Sequence, residues 1–160
     1  MPLHQMQGAQ ILRCTYRYAA TTEVTMVSFN PLILTLGSPE DGQPHLLGSR
    51  CSACGAFFFP QQALCTQCFT AGSLKEHPLS NRGTLYSFTI VERESLAPKG
   101  FTVPYAYGYV DLPEGVRALA KIVDWKPEIL KLGAPVELVL EEIREDTSGE
   151  KVMGFRFRLV

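Results

Sequence analysis

The sequence predicts a mainly β protein in two parts, a small cysteine-rich metal module followed by a five-stranded barrel. Three observations lead to this fold class. Four of the five cysteines form two Cys-x-x-Cys pairs near the middle of the chain. Beyond Gly83, apolar and polar residues alternate with a period of two almost to the C-terminus, as half-buried strands require. Apolar residues make up 46% of the 160 residues, which is enough for a packed core.

Charge and hydropathy restrict the function. The formal net charge is −1 and the pI is near 6.3, so the chain lacks the excess of Lys and Arg that a broad phosphate-binding surface needs. The longest apolar tract near the start, residues 31–36, is too short to span a membrane. The N-terminal residues lack the basic-then-apolar order of a signal peptide. We therefore expect a cytoplasmic protein that makes no membrane contact.

Four segments follow one another along the chain. Residues 1–25 carry little pattern and are expected to be a disordered lead, or sequence upstream of the true start at Met26. Residues 26–45 form an N-terminal segment that ends in a loop dense in turn-forming residues. The metal module is expected at residues 46–78, and the barrel at residues 79–160.

The barrel prediction comes from the order of its strands. Five alternating segments are followed or separated by turn formers, and a short helix over residues 125–132 is expected after the third. This is the element order of the OB-fold, a five-stranded Greek-key barrel. The tyrosine face of the second segment is expected to form core and barrel wall rather than a binding platform. The alternating residues are Tyr86, Phe88 and Ile90; Tyr105, Tyr107 and Tyr109; Val116, Ala118, Ala120 and Ile122; Val136, Leu138 and Leu140; Phe155, Phe157 and Leu159.

The cysteine spacing predicts a closed metal site. Two residues lie inside each pair, Cys51 with Cys54 and Cys65 with Cys68, and ten residues separate the pairs. Such knuckles direct four thiolates to one point, which is typical of structural Zn²⁺ in a rubredoxin-like zinc ribbon. Iron is an alternative because thiolates also suit it, and unligated redox cysteines are a further one. The fifth cysteine, Cys14, has no partner in this pattern and is treated as incidental.

No catalytic residue is predicted. The three histidines, His4, His45 and His77, lie in terminal or loop-like contexts far in sequence from any nucleophile. The chain contains no nucleophile elbow, phosphate-binding loop or dinucleotide fingerprint. Whether the chain belongs to an enzyme is open, but we do not expect it to catalyse a reaction alone.

Several motifs together resemble the acyl-CoA-associated zinc-ribbon/OB-fold family, formerly a domain of unknown function. One member of this family is the small subunit of benzoylsuccinyl-CoA thiolase, which the chain resembles in its motifs. The resemblance covers roughly residues 31–160, with the motifs in the same order. They lie in segments 46–55, 58–60, 65–68, 83–89, 104–116 and 132–136.

The resemblance implies a non-catalytic accessory subunit of an acyl-CoA-processing complex. The partner would be a large thiolase-like, synthase-like or aldolase-like subunit that carries the catalytic residues, and the small subunit would contribute to acyl-CoA or CoA binding or channelling. A nucleic-acid-binding zinc-ribbon/OB protein is the alternative, because both modules bind nucleic acids in other proteins. Candidate contacts with CoA or the partner come from the loop after the first barrel strand and from basic or aromatic residues near the metal module. They are Arg50, Phe58, Phe59, Arg82, Lys99, Phe101 and Tyr105.

Overall fold

The protein consists almost entirely of β-strands in residues 14–15, 25–38 and 40–160, which the computed structural model describes. The only helical element there is one 3-10 turn, Glu94–Leu96. No helix in these residues is long and apolar enough to cross a membrane. The strands are β1 (Cys14–Thr15), β2 (Thr25–Ser28), β3 (Leu34–Thr35), β4 (His45–Cys51), β5 (Phe57–Phe58), β6 (Leu74–Pro78), β7 (Arg82–Val91), β8 (Tyr105–Asp111), β9 (Arg117–Val123), β10 (Pro135–Glu145) and β11 (Lys151–Leu159).

Strands β7 to β11 form a closed barrel. β8 lies antiparallel between β7 and β9, and β10 lies antiparallel between β7 and β11. A short parallel pairing of β11 with β9, which places Phe157 opposite Ile122, closes the circle. This strand order is that of an OB-fold, so the predicted five-stranded barrel is confirmed.

One apolar cluster fills the barrel. The alternation in the last three strands is confirmed, because the predicted apolar faces of β9, β10 and β11 point inward. Phe157 is fully buried, and its transfer from water contributes on the order of 2–3 kcal/mol. Other fully or nearly fully buried barrel residues include Leu85, Ala106, Val110, Ala118, Ile122, Val136 and Leu138.

The metal module shares this core instead of standing apart. β4 pairs with β3 and β5 along one edge and with β6 along the other. Leu34 in β3, Leu46 in β4 and Leu79 just after β6 are buried in the same apolar cluster as the barrel side chains. The zinc ribbon predicted before the barrel is therefore packed directly onto it.

The N-terminal segment extends the barrel sheet. β2 adds to β11 in parallel, with Met26 opposite Lys151, and β1 adds to β2. The expectation of a disordered lead or early start concerns residues 1–25, which lie outside the described part of the chain except for Cys14, Thr15 and Thr25. It stays a prediction.

The expected helix over residues 125–132 is wrong. In its place the amides of Ile129 and Leu130 both donate to the carbonyl oxygen of Lys126, forming a single turn. Eight residues give a helix little cooperative stability, and here tertiary burial decides the conformation. Leu130 is only 5% exposed and packs into the barrel core, while Gly133 donates back to Leu85 of β7.

The expected inward tyrosine face of β8 is also wrong for two of its three residues. Tyr107 and Tyr109 are 38% and 45% exposed, whereas Ala106, Gly108 and Val110 face the interior. The interior of a five-stranded barrel is too narrow for a row of tyrosines, so the small residues of the alternate face occupy it. Tyr105 alone is buried.

Candidate metal centre and apolar groove

The four paired cysteines converge at one end of the ribbon. Cys51 ends β4, and the other three lie in the loops between β4 and β6. Both knuckles have the same backbone geometry: the amide after the second cysteine donates to the carbonyl oxygen of the first at 2.9 Å. Their Sγ atoms all lie within 4.8 Å of one another.

The donor set fits a tetrahedral four-thiolate ion. Zn–S bonds of about 2.3 Å in a tetrahedron place the sulfurs about 3.8 Å apart. The Sγ–Sγ distances are 3.6 Å for Cys51 with Cys68, 3.6 Å for Cys54 with Cys65, and 3.5 Å for Cys65 with Cys68. Cys51 and Cys65 are fully buried, so the site is closed on that side. These four cysteines are positioned to bind a metal ion and leave no place for a reacting ligand.

Nearby hydroxyl groups favour the thiolate form of two of these cysteines. The Ser73 hydroxyl, 3.2 Å from Cys51 Sγ, lowers the pKa of Cys51 to about 6, with the amide of Cys54 as the next cause. Thr70 lowers the pKa of Cys68 in the same way. The amide of Ala56 lowers the pKa of Cys54, but burial and the three adjacent thiols raise it to about 12. Four thiolates cannot coexist this closely without a cation, so metal binding must replace protons.

A second feature, an apolar groove, lies beside the loop between β7 and β8. The loop between β7 and β8 folds back so that the ring of Phe101 lies 5.1 Å from that of Tyr105, and Tyr105 lies 6.1 Å from Tyr107. The cavity beneath this loop holds about 520 Å³. It is lined by Phe29, Val91, Leu96, Pro98, Phe101, Tyr105, Tyr107, Leu119, Ala120, Lys121, Ile143, Gly154, Phe155 and Arg156.

The two charged side chains that line the groove, Lys121 and Arg156, are both paired with Glu141. Arg156 Nε lies 2.5 Å from Glu141 Oε2, and Lys121 Nζ lies 3.8 Å from Glu141 Oε1. Lys121 also lies 6.0 Å from the ring centroid of Phe101. Among the described residues, the groove lining includes no His, Cys, Ser or carboxylate side chain. The groove can bind an apolar group, and its ionisable side chains are those of Lys121, Arg156, Tyr105 and Tyr107.

The structure brings three of the predicted contact residues to this groove region. Phe101 and Tyr105 line the groove. Lys99 is exposed in the same loop, two residues before Phe101, and does not line the groove. The loop was singled out in the sequence for its lysine, phenylalanine and two prolines.

The other four predicted contact residues lie elsewhere. In the ribbon, the guanidinium of Arg50 lies over the ring of Phe57 at 5.4 Å, and Phe58 is half-buried in β5. Phe59 packs against the common core, which favours barrel packing over partner contact for this residue. Arg82, at the start of β7, lies 3.8 Å from Glu137. These residues do not form a single site with the groove.

Several groove residues escaped sequence reasoning. Phe29 reaches the groove because β2 pairs with β11, which brings its ring to 6.1 Å from Phe155. That pairing is non-local and has no sequence signal. Leu119 did carry a signal: it is an apolar residue between Arg117 and Lys121 on the otherwise polar face of β9.

Fold and metal centre together define a protein in which a four-cysteine ribbon is packed on an OB barrel. Residues 42–72 match the family described as ChsH2, rubredoxin-like zinc ribbon domain, and residues 76–141 match ChsH2, C-terminal OB-fold domain. The chain is 36% identical to a DUF35 domain-containing scaffold protein of Methanocaldococcus jannaschii over 116 residues, which are 71% of this chain and 80% of the relative.

Two further relatives carry more specific names. The benzoylsuccinyl-CoA thiolase subunit BbsA of Thauera aromatica is 34% identical over 133 residues, which are 82% of this chain and 88% of the relative. The solved structure of an Ltp2-ChsH2(DUF35) aldolase superposes with a TM-score of 0.61 at 25% identity, covering 72% of this chain and 84% of that one. The chain belongs to the ChsH2 zinc-ribbon/OB-fold family, also called DUF35, as its motifs indicated.

Proposed function

We propose that the chain is a non-catalytic accessory subunit of a cytoplasmic acyl-CoA-processing complex, with a thiolase-like, synthase-like or aldolase-like large subunit as its partner. The observation that carries this proposal is the apolar groove. It is large enough for part of a small-molecule ligand, since ligand pockets typically measure about 300–1,000 Å³, and its mostly apolar lining, within the described part of the chain, includes no His, Cys, Ser or carboxylate side chain. The chemistry would come from the partner.

The relatives support this role. One is named a thiolase subunit, and another belongs to an aldolase named for two components, Ltp2 and ChsH2. Others are named scaffold proteins. A chain that positions a substrate and a partner, without reacting itself, is consistent with each of these names.

The groove is proposed to bind the acyl or pantetheine part of an acyl-CoA. Phe101, Leu119 and Tyr105 provide apolar and aromatic walls against which an extended thioester arm can pack. Lys99, exposed in the loop that forms one side, provides a cation for a phosphate at the groove entrance. Arg156 and Lys121 are held by Glu141, so the groove interior presents little free charge.

The metal is proposed to be Zn²⁺ in a structural role, supplying folding free energy to the ribbon and no reaction step. Four thiolates with no free coordination position are typical of structural zinc. The same ligands would accept iron, and a red rubredoxin-like colour in the purified protein would identify that outcome.

The nucleic-acid alternative has one observation in its favour. Tyr107 and Tyr109 are exposed on the outer face of β8, where bases could stack. The cations on the adjacent strand are already paired, however: Arg117 Nε lies 2.6 Å from Asp111, and Lys121 is near Glu141. Paired cations give little counterion release, so this face is a poor phosphate-binding surface.

Native affinity purification followed by mass spectrometry tests the partner. We expect near-stoichiometric recovery of a thiolase, synthase or aldolase. Recovery of nucleic acid with its processing proteins, and of no acyl-CoA enzyme, would overturn the proposal.

Calorimetric titration of the purified complex with benzoyl-CoA tests the groove. Leu119→Glu places a charge in the groove at a half-exposed position, and Ile129→Glu is a matched control because Ile129 is 47% exposed, Leu119 is 49% exposed, and Ile129 does not line the groove. We expect the dissociation constant to rise about ten-fold or more for Leu119→Glu alone. Equal affinities for the two variants would exclude the groove as the binding site.

A further inference from the structure

Phe69 occupies a position that its backbone suits poorly. It follows the second cysteine of its knuckle, as Gly55 does in the first, and both amides donate to the first cysteine's carbonyl oxygen at 2.9 Å. The φ angles are +79° at Gly55 and +55° at Phe69. Glycine adopts this left-handed conformation freely, whereas a bulky side chain is strained in it. The first knuckle has the unstrained residue and the second does not.

Little of Phe69 is buried, so packing within the chain offsets little of this strain. It is 70% exposed, and Leu64, just before Cys65, is 43% exposed on the same knuckle. A large aromatic residue kept in solvent at a strained position points to a role outside the fold of the single chain. Interface anchors are commonly aromatic residues of this kind.

Apart from the metal ligands, the segment that carries Phe69 has no charged side chain. Residues 51–74 include no Asp, Glu, Lys or Arg, although a segment of this length would hold four or five at the chain average of 19%. We call the exposed part of this segment the knuckle surface. Depletion of charge combined with an exposed aromatic residue is the composition of the core of a protein–protein interface. The knuckle surface consists of Ser52, Ala53, Cys54, Pro60, Gln62, Ala63, Leu64, Thr66, Gln67, Phe69, Thr70, Ala71 and Gly72.

From this knuckle surface we infer a docking site for the large subunit of the acyl-CoA-processing complex, with Phe69 as the anchor inserted into an apolar pocket of that subunit. Nucleic acid and anionic membranes do not fit, because the surface has no cation to offer them. A second copy of the chain fits poorly: four thiolates and one divalent ion leave a formal charge of −2, and a symmetric contact would bring two such centres together.

The inference rests on the proposed function but concerns a different surface. The groove is lined by residues of the barrel strands, of the loop between β7 and β8, and by Phe29 just after β2, and it shares no residue with the knuckle surface. The accessory subunit would therefore hold its partner through the ribbon while the barrel faces the substrate. Loss of partner binding at the knuckle surface should therefore leave ligand binding in the groove intact, and the reverse should also hold.

The variant Phe69→Gly tests the anchor without endangering the fold, because glycine relieves the positive φ. Asp124→Gly is a matched control, since Asp124 has a φ of +54° and lies after β9, outside the knuckle. Leu132→Ala is a second control, a 67% exposed apolar side chain after β9. The probe is the acyl-CoA enzyme that co-purifies with the unmodified chain, used as the purified protein in surface-plasmon titrations.

We expect Phe69→Gly to raise the dissociation constant for that enzyme about thirty-fold or more. The melting temperature of the variant chain should stay equal or rise. Both controls should bind as the unmodified chain does. A photocrosslinking phenylalanine analogue at position 69 should label the large subunit, and the same analogue at position 129 should not. Labelling of a second copy, or a dimer that Phe69→Gly dissociates, would overturn the inference.

Unchanged affinity of Phe69→Gly for the enzyme would also overturn the inference while leaving the accessory-subunit role in place. Failure of the unmodified chain to recover any acyl-CoA enzyme would overturn the proposed function, and this partner with it. Whether the unmodified chain recovers an acyl-CoA enzyme therefore distinguishes a wrong docking surface from a wrong proposed function.

Discussion

Glu114 holds the linker between the two modules. Its Oε1 atom accepts hydrogen bonds from both the backbone amide and the hydroxyl of Ser80, each at 2.7 Å. Ser80 lies between β6 of the ribbon and β7 of the barrel, and Glu114 lies in the turn between β8 and β9. The preceding residue, Leu79, is fully buried in the common core. Packing and hydrogen bonding therefore fix the ribbon on the barrel at the same point.

Replacing Glu114 should destabilise the whole chain. Glu114→Ala removes the acceptor of two donors in a partly buried linker, and leaving such donors unpaired costs about 1–3 kcal/mol. Glu114→Gln keeps a carbonyl acceptor and should cost less. Urea denaturation monitored by tryptophan fluorescence measures both. Equal stability of Glu114→Ala and the unmodified chain would show that the linker does not depend on this contact.

The metal should be stoichiometric and essential for stability. We expect one zinc per chain by elemental analysis, and Cys65→Ser, which changes a fully buried ligand, should abolish it. The melting temperature should fall by more than about 10 °C, because structural zinc supplies a large share of ribbon folding free energy. Cys14→Ser is the control and should retain the metal. Full metal content in Cys65→Ser would contradict the four-thiolate site.

Glu137 should make stability depend on pH. Hydrogen bonding from Arg158 is the main cause that lowers the pKa of Glu137 below its ordinary value of 4.5, with a smaller effect from the charge of Arg82. A carboxylate with a lowered pKa contributes stability above its ordinary pKa and loses it as the pH falls through the folded value. Glu137→Gln should therefore be slightly less stable than the unmodified chain at pH 7. The difference should shrink as the pH falls below 4.5 and vanish only below the lowered pKa of the folded state. Denaturation curves at several pH values measure this, and a pH-independent difference would exclude the ion pair as its cause.

Gly108 should tolerate no side chain. A Cβ atom at this position would lie 2.1 Å from the carbonyl oxygen of Ser87, a backbone atom of the adjacent strand. Gly108→Ala must force β7 and β8 apart, at a cost of about 1–3 kcal/mol. Gly154→Ala is the matched control: its Cβ would meet side-chain atoms and no backbone, at 2.4 Å from Cδ1 and 2.9 Å from Cγ1 of Ile143, which is 48% exposed and can move. In thermal unfolding, the melting temperature of Gly108→Ala should be well below that of Gly154→Ala.

The barrel could be predicted because its information is local. Alternation in β9, for example, places Ala118 and Ile122 inside and Arg117 and Lys121 outside, and period-two alternation survives any tertiary arrangement that buries one face. The helix expected over residues 125–132 failed for the opposite reason. Local propensity there is weak, and burial of Leu130 in the barrel decides the chain path.

The metal centre could be predicted from local spacing, whereas most of the groove could not. The cysteine spacing alone predicted the convergence of Cys51, Cys54, Cys65 and Cys68, because two short knuckles determine where the sulfurs point. The groove could not be predicted as a whole, since Phe29 and Phe155 meet only through a parallel pairing of distant segments. Phe101 and Tyr105 were found because they belong to a single loop.

The sequence by itself determined the strand order, the metal ligands and the family, all of which depend on short spacings and on alternation along one strand. Only the tertiary structure decided which face of β8 points inward. Both of its faces are apolar, and the limited width of the barrel selects Ala106, Gly108 and Val110 over the tyrosines. It also decided that Phe69 remains in solvent, because a residue's exposure depends on what packs against it, which neighbouring residues in the sequence do not specify.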